Sequence, residues 1–191
     1  MSKLEVDAIE PQSGTTLTLG ASGDTIALAS GATLGAGMGK ILQVVQATTG
    51  TEVAVTGTTF TDTTLTASIT PISTSNKILV LFNQSYYLNK AGASYAFGGV
   101  RLLRDTTSIW NPNPEDGSGS YGLGIQIVGQ SGTYGNPSFV NYNYLDSPST
   151  TSATTYKTQI RAYTATGIAT AQRAAGTNNG ASSIILMEVS G

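Results

Sequence analysis

Apolar and polar residues alternate along this chain with a period of two, first in a short repeated unit and then in longer, unequal runs. The repeated unit follows a recurring Ser-Gly pair at Ser13-Gly14, Ser22-Gly23 and Ser30-Gly31. Each pair opens a stretch in which Thr alternates with aliphatic residues, so turn signals fall every eight or nine positions between 13 and 34. A strand of that length offers two or three small apolar side chains. That is too little to offset the roughly 1–2 kcal/mol of backbone entropy lost per ordered residue. The economical solution is association, with three copies wound about a common axis so that Leu17, Leu19, Ile26, Leu28 and Leu34 meet their counterparts.

Before this stretch, Leu4, Val6 and Ile9 alternate with charged residues until Pro11 ends the segment. It reads as a short strand able to add to a partner's sheet edge or to clamp into a socket. After it, Gly35, Gly37 and Gly39 lie within five residues, and such permissive backbone marks a change of direction. The predicted organisation is an anchoring segment over 1–12, a repetitive β-stem with its glycine hinge over 13–39, and a head over 40–191.

From Lys40 onward the alternation predicts strands around Ile41–Val45, Val53–Val55, Leu65–Ile69, Ile78–Phe82, Val140–Tyr144, Tyr156–Ala162 and Ile184–Val189. Ile78–Phe82 is continuously apolar and is the expected central strand. The Ala-rich stretch Ala165–Ala175 holds Thr166, Gly167 and Thr170, and reads as an edge strand sooner than as a helix. About ten short strands with no helical periodicity predict an all-β fold: an N-terminal trimeric β-stem followed by an antiparallel, jelly-roll-like β-sandwich head.

Composition narrows the chemistry. Charged residues make up 10% of the 191 residues, against about 25% in ordinary globular proteins. With a net charge of −2 the chain lacks the basic footprint expected of a nucleic-acid binder. Cysteine and histidine are both absent, which removes disulfides, the commonest transition-metal ligands, and the imidazole or thiol on which Ser-His and Cys-His catalysis depends. No cofactor, no metal site and no catalytic residue is expected. No apolar run reaches the length of a signal peptide or of the roughly 20-residue membrane span, so the expectation is a chain assembled in a cytoplasm without membrane insertion.

Three motifs need weighing. Gly117-Ser118-Gly119-Ser120-Tyr121-Gly122 matches a dinucleotide fingerprint literally, but a Pro-Asn run precedes it where the fingerprint needs a buried strand, so it reads as a loop. Glu115, Asp116 and Asp146 could in principle supply a glycosidase pair, yet nothing in their spacing fixes two of them at catalytic separation. Nine tyrosines outnumber four phenylalanines, and tyrosine tolerates a half-wet position. Tyr142, Tyr144 and Tyr156 are expected on sheet surfaces and subunit interfaces. Trp110, Tyr121 and Tyr134 are expected on glycine-flanked loops, displayed as candidates for contact with a ligand such as a saccharide ring.

The residues Ser2-Lys3-Leu4-Glu5-Val6-Asp7-Ala8-Ile9-Glu10-Pro11-Gln12-Ser13-Gly14 and the Thr-Leu alternation after them resemble the start of fibre proteins from tailed phages of marine bacteria. Leu145-Asp146-Ser147-Pro148, the strand around Tyr156, and Thr177-Asn178-Asn179-Gly180 leading into Ser183–Val189 are similar to the heads of those proteins. The resemblance implies a homotrimeric virion fibre, its N-terminus docked on other virion structural proteins and its head pointing outward; with no enzyme expected from the missing histidine, the first reading is a head that attaches to a host-surface glycan or protein. A capsid decoration fibre or minor tail spike without a specific receptor is the alternative that this resemblance leaves open.

Overall fold

Lys77-Ile-Leu-Val-Leu-Phe-Asn-Gln-Ser-Tyr-Tyr-Leu-Asn-Lys90 can be extended throughout, because β-branched and aromatic residues suit a pleated surface and the run holds neither glycine nor proline. In a computed structural model, which describes residues 41–90, 95–111, 126–128, 134–162, 167–173 and 180–191, this run is one 14-residue strand. The strands in chain order are β1 (Ile41–Thr49), β2 (Val53–Thr56), β3 (Thr61–Ile69), β4 (Lys77–Lys90), β5 (Tyr95–Arg104), β6 (Thr107–Trp110), β7 (Gln126–Val128), β8 (Tyr134–Asp146), β9 (Thr154–Ala162), β10 (Gly167–Ala171) and β11 (Ser182–Val189). The chain divides into two units, Met1–Met38 and Gly39–Gly191. The anchor residues Leu4, Val6 and Ile9 and the stem residues Leu17, Leu19, Ile26, Leu28 and Leu34 lie outside the described residues.

All described pairings are antiparallel, in two facing sheets. The larger is built around β4. One edge of β4 pairs β8 along Ile78–Lys90; the other pairs β11 along Lys77–Asn83 and then β10 along Tyr86–Lys90. Outside these, β1 pairs β11 and β2 pairs β10. The sheet therefore has four lanes: β1 with β2, β11 with β10, β4, and β8. Pro137, which has no N–H to donate, sits in the outermost lane, where a strand tolerates it. The second sheet runs β3-β9-β5-β6, with β7 also on β5.

The break between β10 and β11 leaves Gln84 and Ser85 without a strand on that edge, and buried polar groups need partners. Side chains supply them. Ser85 N–H donates to Ser182 Oγ at 2.8 Å, and Gln84 Nε2 donates to Ser85 O at 2.8 Å and to Ser182 Oγ at 3.1 Å. Gln84 Oε1 then accepts from Thr158 Oγ1 of the opposite sheet at 2.7 Å, Thr158 meets Thr63 Oγ1 at 2.7 Å, and Thr63 accepts the Leu65 N–H.

Period two decides the core. Register places Val45, Leu186, Val80 and Tyr144 in one inward row, and Ala47, Ile184, Phe82 and Tyr142 in the next. Leu65, Ala67 and Ile69 of β3, Val100 and Leu102 of β5, and Tyr156, Ile160 and Ala162 of β9 face them. Two expectations need correction. The strand within Ala165–Ala175 is β10, which is paired on both sides and is not an edge, because the second half of β4 needs a partner. Tyr156 is fully buried and not on a surface, because Asp146 gives its hydroxyl an internal partner at 2.7 Å.

Tyr86 spans the gap between the sheets. Its hydroxyl donates to the Arg161 carbonyl at 2.8 Å, and burial pushes its pKa well above the ordinary tyrosine value of 10. It passes over Gly98 of β5 so closely that a Cβ there would lie 1.6 Å from the hydroxyl oxygen and 2.7 Å from the ring carbon bearing it. Gly98→Ala should therefore lower unfolding free energy by about 2 kcal/mol, the usual scale of forced overpacking. The cost should shrink when Tyr86→Phe is added, since the nearest atom is then gone. Urea denaturation of the two single variants and the double variant measures this, and additive losses would show that the two residues do not compete for that space.

Candidate functional site

Four of the described carboxylates, Asp62, Asp105, Asp146 and Glu188, are engaged in hydrogen bonds with residues distant in sequence. Asp146 closes the last turn of β8, where Arg104 Nη1 donates to both its oxygens at 2.9 Å and the Tyr156 hydroxyl donates at 2.7 Å. This ties the end of β8 to β5 and β9. Burial, together with the hydrogen bond to a carboxylate, pushes the Tyr156 pKa far up. Asp105 occupies the β5–β6 turn at a φ of 53° and receives the Thr155 N–H at 2.9 Å, while its own N–H donates to the Thr155 carbonyl at 2.7 Å. That reciprocal pair docks the hairpin on β9.

Glu188, fully buried on the inner face of β11, is the most heavily solvated by protein. It accepts from Gln43 Nε2 at 2.6 Å, Asn76 Nδ2 at 2.6 Å and the Ile72 N–H at 2.7 Å. Burial by itself would raise its pKa, but these donors override that and leave it below the ordinary value of 4.5. Asn76 in turn accepts the Gly191 N–H at 3.2 Å, so one carboxylate organises the β3–β4 connection and the C-terminal residue together.

Asp62 belongs to a lattice on the outer face of the smaller sheet. Register sets Arg101, Gln159 and Asp62 side by side on three strands. Arg101 Nε donates to Gln159 Oε1 at 2.7 Å, Gln159 Nε2 to Asp62 Oδ1 at 2.5 Å, and Lys157 Nζ to Asp62 Oδ2 at 2.6 Å. Desolvation pulls the Asp62 pKa up, and the Lys157 and Gln159 contacts, with the charge of Arg101, bring it below 3.8. The guanidinium groups of Arg101 and Arg161 lie 4.2 and 4.4 Å from the centre of the Phe60 ring, a pair of cation–π contacts that covers this ring. On this face Arg101, Gln159, Asp62 and Lys157 are hydrogen-bonded to one another.

Trp110, expected on a displayed loop, is the last residue of β6. Its ring stacks on Tyr142 at 4.1 Å and 24° and meets Phe82 edge-on at 5.8 Å. It is half-buried and closes the side of the sandwich between β6 and β8, so its first task is structural. Sequence could not show this, because Tyr142 lies 32 positions later on a strand of the other sheet. Tyr134 opens β8 opposite Lys90. Tyr121, Glu115 and Asp116 lie outside the described residues. Among the described residues no three His, Cys, Asp or Glu side chains gather as a metal site would require, and no helix is long and apolar enough to cross a membrane.

No protein-family model matches the chain, and no curated protein does. Among solved structures it is similar to a chain of infectious bursal disease virus, Gx strain, at a TM-score of 0.32 and 12% identity over 87% of this chain. A chain of the Gt strain of that virus follows at 0.26 and 10%, again over 87% of this chain. The chain spans 44% of the length of each. Likeness at this level carries no functional argument.

Two outcomes test these assignments. Trp110→Ala should reduce stability by about 2 kcal/mol, less than loss of a fully buried Trp costs, and unchanged denaturant midpoints would show that the stack with Tyr142 contributes nothing. Because the folded pKa of Glu188 is lowered, its contribution is complete above about pH 4.5 and is lost as pH falls through the lower folded value. Glu188→Gln should cost about 1–3 kcal/mol at neutral pH, since donors then face an amide, and should flatten the acid limb of the stability curve. An acid limb identical to that of the unsubstituted protein would remove Glu188 from the account.

Proposed function

We propose that this chain is a structural fibre protein of a tailed-phage virion, homotrimeric, docked by its N-terminal segment, with the β-sandwich as a non-enzymatic head that meets the host surface. The observation that carries this reading is the order of parts. A repetitive segment unable to bury its own leucines is followed by a sandwich in which Asp62, Asp105, Asp146 and Glu188 are committed to hydrogen bonds that hold the fold. Such carboxylates are not free for acid–base work, and the resemblance of residues 2–20 to phage fibre proteins points the same way.

A specific observation favours a second reading, in which the fibre decorates the particle without a dedicated receptor. Trp110, the aromatic side chain best suited to stack on a sugar ring, is already stacked on Tyr142. Trp110→Ala is therefore a poor probe of ligand contact, and Tyr121→Ala is the cleaner one.

The test is imaging of the intact particle with an antibody against the head. Label on the tail or its tip supports host attachment; label on the capsid supports decoration; a particle that lacks the protein sinks both.

A further inference from the structure

The two sheets turn different outer faces to their surroundings. That of the smaller sheet carries the Arg101–Gln159–Asp62 row and Lys157, all hydrogen-bonded within the surface. That of the larger sheet is aliphatic at one end. Register sets Val44, Met187, Leu79 and Leu145 in one row across all four of its lanes there, with Ile185 and Leu81 between Gln46 and Asn143 in the row behind and Ile41 beside Val189 in front. Ile41 and Val44 are each 56% exposed and Leu145 is 52% exposed. The chain has enough Thr, Ser and Asn to make a solvated face, and does so one row further on with Thr48, Ser183, Asn83 and Asn141. A contiguous aliphatic face on one sheet beside a polar one on the other marks a contact surface.

We infer that this face is where copies of the chain pack against one another within the head. The inference rests on the homotrimeric reading above and gives it a surface. Connectivity selects the occupant. If residues 13–34 associate through their leucines, only residues 35–40 separate that association from Ile41, and six or seven extended residues reach no more than about 25 Å. Association upstream would therefore tether the copies just ahead of the first residue of the aliphatic face and raise their effective concentration toward one another. Charge agrees. Lys77 stands at the margin opposite Val189, and Glu188, the carboxylate of β11, points inward. The Val44–Met187–Leu79–Leu145 row and the row behind it therefore hold no charge, so two copies can meet there with like charge confined to Lys77 at the rim. The aromatic interface expected from Tyr142, Tyr144 and Tyr156 is replaced by an aliphatic one, since those tyrosines point into the sandwich.

The absence of cysteine makes the test direct. In the full-length chain, Val44→Cys and Leu145→Cys place single thiols on the face, and Thr66→Cys places one on the exposed outer face of the other sheet. A short thiol-to-thiol cross-linker should join copies several-fold more efficiently at 44 and 145 than at 66. Oxidation of Met187, in the middle of the row, gives a readout without substitution at the face: dilute peroxide should attack it more slowly in the assembled protein than after dilution to the monomer. A multimer by mass whose cross-linking is no greater at 44 and 145 than at 66, or whose Met187 oxidation is unchanged by dilution, overturns the inference and leaves the homotrimer standing. A chain that is monomeric by mass at every concentration overturns both.

Discussion

Everything described in the sandwich hangs on the demand of one strand for partners along both edges. β4 is too long for either β10 or β11, so two segments of the chain are laid end to end against it, and β1 and β2 are laid end to end outside them. The opposite edge is met by a single segment of nearly equal length, β8. Because the side-chain period is two, a slip of one residue at β4 would turn Val80, Phe82, Gln84, Tyr86 and Leu88 outward together and bring Leu79 and Leu81 in. That couples the register of four lanes to one choice.

Apolar burial alone does not fix how two sheets slide over each other, and this chain has no disulfide to do so. Polar ties do it at three levels. Asp146 on β8 reaches Arg104 and Tyr156; Gln84 on β4 reaches Thr158 and through it Thr63; Tyr86 reaches the Arg161 carbonyl. Each is directional and buried, so a shifted packing would leave several groups unsatisfied at once. The jog at which β10 gives way to β11 is therefore also the place where the sheets are keyed together, through Ser182, Gln84 and Thr158.

Much of this was legible in the alternation. β3 and β11 show their buried faces directly, since Leu65, Ala67 and Ile69 recur with period two among Thr and Ser, and Ile184 and Leu186 do so along β11; in β8 and β9 the alternation gave the strands, but Tyr142, Tyr144 and Tyr156 were expected on the wrong face. The full length of β4 was not, because Asn83-Gln84-Ser85 breaks the apolar run, and the reason that these residues are tolerated there lies in partners nearly a hundred positions away. Burial of Tyr156 was hidden for the same reason: its partner Asp146 sits ten residues earlier, and spacing does not show which side of the turn a carboxylate takes. The aromatic packing of Trp110 depends on the meeting of β6 with β8, which no local pattern encodes. The hydrogen-bonding of Asp105, Asp146 and Glu188 could not be foreseen either, because each of them meets partners distant in sequence.

The antiparallel pairing also gives the head a polarity. The chain enters at Ile41 beside Val189, and the C-terminal residue is held at that same pole through Asn76 and Glu188. β4 runs from there to Lys90, which faces Tyr134 and Gly167, while β9 runs the same way to Ala162. Four connections, from β2 to β3, from β4 to β5, from β7 to β8 and from β9 to β10, thus leave from the opposite pole. One end of the sandwich holds Ile41 beside Val189 and ties Gly191 to Asn76 and Glu188, and the other carries connections between strands that are already paired. A change of length in those connections leaves every register intact, whereas a change at the first pole removes a partner of a buried carboxylate.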